Sequence, residues 1–327
     1  MSWIRKLTGL AVALLLVHAS TVMAQGYPNR PISFVIPFPP GGGSDVLGRL
    51  LAQRLSDRLG QPVLVENRPG ASATIGTARV AKSVPDGYTV LFTPQTPITI
   101  APSFREPPPY DPFKDLTPVA LAVISRVVIV APSSLPVRDL KEFVQYARAR
   151  PNQTNFGAAG LNNELRLIWE LIRGELGIDT LTVPYQGAGP LTVDLVAGRI
   201  QVAAVSISTV KQHLSEGRLR GLAIVSDTRH PELPEVPTLA ENGLPNLVVP
   251  PVWWGMFAPA GTSSEIIGKL HSEMVKIAEE PAYRKRVAEL GLDLMVAGPA
   301  QFGELVARNR AAWAKTIQAQ NLKLEGN

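Results

Sequence analysis

Three successive glycines, Gly41, Gly42 and Gly43, follow the apolar run at residues 32–38 and lead directly into Ser44 and Asp45. A backbone without side chains can come very close to a bound group. Apolar residues then fall at Val46, Leu47, Leu50, Leu51, Leu55 and Leu59, the spacing of one helical face. Ser44 or Asp45 stands where an N-cap belongs, and Gly60 stands where the helix should stop. The loop is therefore a strand-to-helix turn whose free N–H groups favour negative charge. No lysine follows Gly43, as a phosphate loop would require, and Val46 occupies the position of the third glycine in a dinucleotide fingerprint. Such a cradle suits a singly charged carboxylate better than a triphosphate. A turn of this kind that serves packing alone is the competing reading.

Further donors sit in four other loops expected after strands: residues 69–73, residues 94–97 with Gln95 and Thr96, residues 160–164 and residues 185–190. A carboxylate gains roughly 1.5–3 kcal/mol from each charge-assisted hydrogen bond, and micromolar affinity needs only about 8 kcal/mol net. Catalysis finds less support. His18, His213, His230 and His271 are far apart and lack metal-ligand spacing, no serine-nucleophile elbow occurs, and there is no cysteine. Glu279 and Glu280 fall at a helix end, where solvation explains them. Neither a cofactor nor a metal is implied.

The elements that position these loops alternate. Strands are expected at residues 32–38, 62–67 and 88–92, with helices between them, which makes a βαβαβ unit with its loops at the strand C-terminal edge. A proline-heavy stretch, 102–118, interrupts the pattern. Alternation resumes at Val127 and continues to Val225 through a second glycine loop around Gly187. After another proline-rich stretch come a strand at residues 253–258 and three helices, which should pack back on the first unit. The chain would thus cross twice between two α/β lobes, 27–125 with 252–327 and 126–251, forming a hinged clamshell.

The N-terminus reads as a signal peptide, residues 1–24: Arg5 and Lys6, an apolar stretch from Leu7 to Val17, and a small-residue site predicting cleavage after Ala24. Export to the periplasm follows. About 300 residues remain, enough for two domains, and without cysteine their cores alone must hold them. The net charge of +5 falls to +3 without Arg5 and Lys6, and the cations are scattered, which argues against nucleic-acid binding.

Motifs along the whole chain resemble one family. They are Tyr27-Pro28, Pro37-Phe38-Pro39-Pro40-Gly41-Gly42-Gly43-Ser44-Asp45, Glu66-Asn67-Arg68-Pro69-Gly70-Ala71, Pro85-Asp86-Gly87-Tyr88-Thr89, Val183-Pro184-Tyr185, Pro234-Glu235-Val236-Pro237-Thr238 and Phe257-Ala258-Pro259-Ala260-Gly261-Thr262. The chain resembles the Bug family, the extracytoplasmic solute receptors of tripartite tricarboxylate transporters. The resemblance implies an α/β type II periplasmic binding protein, a Venus-flytrap that closes on a small organic acid and delivers it to membrane transporter subunits. It implies no enzyme activity and a monomer. On lobe 1 it places Phe38, Gly42, Gly43, Ser44, Asp45, Ala71 and Ser72 at the ligand. On lobe 2 it places Asn162, Asn163, Glu164, Gln186, Gly187 and Ser206 there.

One departure bears on specificity. Where the family commonly has a serine-rich run ending in histidine, this chain has Asn163-Glu164-Leu165-Arg166. Glu164 at a helix N-terminus complements the dipole, and Arg166 can simply face solvent. If instead one of them faces the cleft, Glu164 favours a ligand with a cationic group and Arg166 a second carboxylate. Two other functions stay open at this level: a sensor that docks on a membrane histidine kinase, and an exported α/β enzyme.

Overall fold

A computed structural model describes residues 26–104, 109–160 and 163–319. The expected signal peptide and Asn162 lie outside the described residues. The chain runs β1 (Ile32–Ile36), α1 (Gly43–Leu59), β2 (Val63–Asn67), α2 (Thr74–Ala81) and β3 (Thr89–Pro94). Two short helical turns (Thr96–Ile100 and Ala101–Phe104) precede β4 (Leu116–Ser125), and Arg126 alone separates β4 from β5 (Val127–Pro132). There follow α3 (Leu140–Arg148), β6 (Asn155–Ala158), α4 (Glu164–Leu176), β7 (Leu181–Pro184), α5 (Ala188–Val196), β8 (Val202–Ser206), α6 (Ile207–Ser215) and β9 (Leu219–Val225). The chain closes with β10 (Val252–Pro259), α7 (Ser264–Glu279), α8 (Pro281–Glu289), β11 (Asp293–Ala297) and α9 (Pro299–Ala319).

These strands form two sheets, ordered β11-β4-β10-β3-β1-β2 and β7-β6-β8-β5-β9. Within the first, β1 pairs in parallel with β2 and β3, while β10 runs antiparallel to both β3 and β4. Within the second, β6 is parallel to β7 and β8, and β5 is antiparallel to β8 and β9. The C-terminal ends of β1, β2, β3 and β4 therefore share one edge, and those of β6, β7, β8 and β9 share one edge of the other sheet. The β4–β5 and β9–β10 connections join those two edges. The result is a two-lobed α/β fold with the glycine loops at facing strand ends.

Two strands were not read from the sequence. Pro118 lies inside β4, where it pairs with Phe257 beside a register shift; the irregularity accommodates a residue with no N–H to donate. β11 is a five-residue edge strand with only partly buried side chains except exposed Met295, too short and too little alternating to stand out between helices.

The last helix also does more than expected. Phe302 and Val306 pack with Trp253 and Phe257 on the first sheet. Trp313 and Ile317, further along, join the core around Phe143, Phe156 and Trp169, which belongs to the second sheet's lobe. Thus α9 spans both lobes.

Candidate ligand-binding cleft

The glycine loop is built by Asp45. Its buried carboxylate accepts from the Gly41 N–H at 2.9 Å, from Arg49 Nε at 2.9 Å and from Asn67 Nδ2 at 2.8 Å. Asn67 Nδ2 also donates to the Phe38 carbonyl at 3.1 Å, so the end of β2 fixes both ends of the loop. Burial alone would push the Asp45 carboxyl up, but Arg49, the Gly41 N–H and Asn67 together hold it down at about 2. Asp45 thus shapes the loop from behind. Its oxygens accept from Gly41, Arg49 and Asn67, which accounts for Asp45 as a shaping residue of the loop.

Gly42 caps α1 in an extended conformation, and its carbonyl accepts from the N–H groups of Asp45 and Val46 at 2.9 and 3.0 Å. The N–H groups of Gly42, Gly43 and Ser44 have no acceptor among the described residues, and both glycines are exposed. The positive end of a 17-residue helix stands behind them. The Ser44 hydroxyl accepts from Trp254 Nε1 at 2.9 Å. Trp254 is half-buried and pairs with Pro94, which puts its indole at the cleft edge of the sheet. The sequence reading took the Trp253-Trp254 pair only as strand; no local pattern tells which of two adjacent tryptophans faces the core.

Beside this loop, Ala71, Ser72 and Ala73 all take left-handed backbone conformations, with φ of 48°, 54° and 69°. Each such non-glycine residue costs about 1–2 kcal/mol. The Ala71 carbonyl is held by the Thr74 hydroxyl at 2.7 Å, and the Ala73 carbonyl by the Thr77 hydroxyl at 2.9 Å. The N–H groups of Ser72 and Ala73 have no acceptor among the described residues. A strained backbone that ties down the Ala71 and Ala73 carbonyls and leaves the Ser72 and Ala73 amides without an acceptor among the described residues has donors to spare.

Thr96 reaches across the cleft. Its hydroxyl donates to Glu164 Oε2 at 2.7 Å, joining lobe 1 to the start of α4 on lobe 2. Burial pushes the Glu164 carboxyl up from its ordinary value. Gln95 turns the other way. Its side chain is fully buried, with Oε1 accepting from Trp313 Nε1 at 3.2 Å and near Asn309, so its expected place at a ligand gives way to holding α9.

On lobe 2, Asn163 is a helix cap with both amide ends engaged: Oδ1 accepts from the Arg166 N–H at 3.1 Å and Nδ2 donates to the Ala159 carbonyl at 2.6 Å. These bonds account for Asn163 as the cap of α4. Arg166 does not face solvent; it is buried, with Nε 3.7 Å from Glu170 Oε1. Gln186 is exposed, and Gly187, with φ of 115°, caps α5. Ser206 accepts from the Ser125 hydroxyl at 2.9 Å, which places it at the β4–β5 crossing.

A groove of about 490 Å³ also opens between the lobes beyond the crossings, lined among others by Arg126, Ser208, Lys211, His230 and Asp293. Its cations are already paired, Arg126 with Asp293 at 2.7 Å and Lys211 with Glu232 at 2.6 Å. The open amides lie at the other end of the interlobe edge, among β1, β2 and β3.

Residues 47–322 match the model of the tripartite tricarboxylate transporter family receptor. The chain belongs to that receptor family. This receptor is 36% identical to protein BugT of Bordetella pertussis over 308 residues, 94% of each chain. It is similar to a Rhodopseudomonas palustris protein solved with adipate, at TM-score 0.79 and 30% identity, covering 91% of this chain and 99% of that one. It is also similar to MatC of the same organism, solved with bound malate, at TM-score 0.76 and 31% identity over 89% of this chain and all of that one. The fold is that of a periplasmic binding protein. No helix among the described residues is long and apolar enough to cross a membrane.

Proposed function

We propose that this receptor binds a small organic acid between its lobes, with the acid's carboxylate on the N–H groups of Gly42, Gly43 and Ser44 and of Ser72 and Ala73. The carrying observation is that these amides lie in the loops after β1 and β2, at one strand edge, with no acceptor among the described residues, while Asp45 and Asn67 hold the glycine loop in shape from behind. Phe38 and Trp254 flank them, and Thr96, Glu164, Gln186 and Gly187 face from around the cleft. Relatives solved with adipate and malate support the acid class.

The lobes are residues 27–125 with 252–327, and 126–251, hinged at Ser125-Arg126 and at the β9–β10 connection. Closure buries the acid and creates a surface made of both lobes, which membrane transporter subunits can read. The protein is exported to the periplasm by a signal peptide cleaved after Ala24, acts as a monomer, and catalyses nothing. A thermal-shift screen over mono-, di- and tricarboxylates and amino acids tests this. Saturating acid should raise the melting temperature, because only the native state binds. Double replacement Gly42→Pro and Gly43→Pro, which removes two donors, should abolish the shift; an undiminished shift overturns the assignment.

A further inference from the structure

Glu164 lies in the cleft without a cation. Its carboxylate accepts from the Thr96 hydroxyl at 2.7 Å and from its own backbone N–H. No lysine, arginine or histidine among the described residues makes an ion pair with it, whereas Asp45, Asp194 and Asp293 each have one. The cations closest in sequence are committed elsewhere: Arg166 lies against Glu170, and Arg173 binds Glu170 at 2.5 Å. A carboxylate offers about four acceptor sites, so one hydroxyl and one amide leave acceptor capacity open. Half-burying such a group without a paired cation is unfavourable, and desolvation pushes its carboxyl up.

The cleft therefore has two unlike poles. Lobe 1 offers donors, the amides of the glycine loop and of residues 72–73 that have no acceptor among the described residues. The start of α4 offers a carboxylate with acceptor capacity left beyond the Thr96 hydroxyl and its own N–H. A diacid long enough to reach from those amides to Glu164 would set its second carboxylate against it, and like charges there repel. A protonated nitrogen there gains a charge-assisted hydrogen bond and neutralises the half-buried acid.

We propose that Glu164 makes this receptor select an acid that also carries a protonated nitrogen, over the equivalent acid without one. The inference rests on the carboxylate-binding reading above and names the second group of that ligand. Calorimetry with probe pairs that differ by one amine tests it: γ-aminobutyrate against butyrate, glutamate against glutarate, aspartate against succinate, 6-aminohexanoate against hexanoate. The nitrogen-bearing member of the binding pair should hold at least about tenfold tighter, as the loss of one charge-assisted contact requires. Glu164→Gln should remove that preference while amine-free acids bind as well or better. Thr96→Val keeps the carboxylate and removes only the bridge, so it should keep the preference. Amine-free acids binding equally well or better in the native protein overturns the inference, as does a preference that survives Glu164→Gln or vanishes in Thr96→Val. If no acid of either kind binds, the organic-acid reading itself fails.

Discussion

Asp45 shows how a residue can be essential to a cleft without touching its contents. Its carboxyl is held at about 2, against 3.8 for an ordinary aspartate, because Arg49, the Gly41 N–H and Asn67 outweigh the effect of burial. A carboxylate depressed on folding stabilises the native state above its unfolded pKa, and that stability is lost as pH falls through its folded pKa. A shift of about two units corresponds to roughly 2.5 kcal/mol. Arg49 is 53% exposed, so solvent screens its share, and about 1–2 kcal/mol is the reasonable expectation. Asp45→Asn should therefore lower the unfolding free energy by about that much near neutral pH, and the deficit should shrink between about pH 4 and pH 2. Melting curves of both proteins across that range measure it. A deficit independent of pH would show that shape, and not charge, is what Asp45 supplies. Its residue type was visible in the sequence as part of the loop. Its role was not, because Asn67 and Arg49 come from a different strand and the next helical turn.

At the scale of elements, the sequence carried what depends on local pattern and missed what depends on distant partners. The βαβαβ start was legible because glycines, turn signals and apolar spacing repeat within about 60 residues. β4 was hidden because Pro118 argues against a strand unless the shifted register with Phe257 is known. The reach of α9 was hidden because an amphipathic pattern does not say which lobe it faces. Trp313 is fully buried, its indole N–H donates to Gln95 on lobe 1, and its ring packs in the core of lobe 2. Trp313→Ala should cost about 3–5 kcal/mol. Because α9 straps the lobes together, hydrogen exchange should show both lobes losing protection in concert. Loss confined to one lobe would mean that α9 belongs to that lobe alone.

For the whole molecule, besides the strap of α9, contacts among the described residues join the lobes along one edge. Thr96 and Glu164 meet on the side of the open amides, Ser125 and Ser206 at the crossing, and the turn before β11 meets α6 beyond it. At this last contact a Cβ on Gly291 would stand 1.9 Å from Ser208 Cβ and 2.9 Å from its Cα, and Gly291 has φ of +68°. The lobes can approach there only because residue 291 has no side chain. Gly291→Ala should act as a wedge behind the crossings, on the far side of the hinge from the open amides, and so tip the cleft side shut: scattering of the acid-free variant should match that of the acid-bound native protein, and affinity should rise by tenfold or more, which is about 1.4 kcal/mol or more of closure. The alanine also pays about 1–2 kcal/mol for a left-handed backbone, a cost local to the turn. Adding Ser208→Gly separates the two effects, since it removes the opposing Cβ and hydroxyl but leaves the backbone strain. Return to the native affinity in the double variant identifies steric wedging between lobes. Affinity that never rises, with the melting temperature lowered equally in both variants, would assign the whole effect to the turn, and the contact behind the crossings would then not bear on closure.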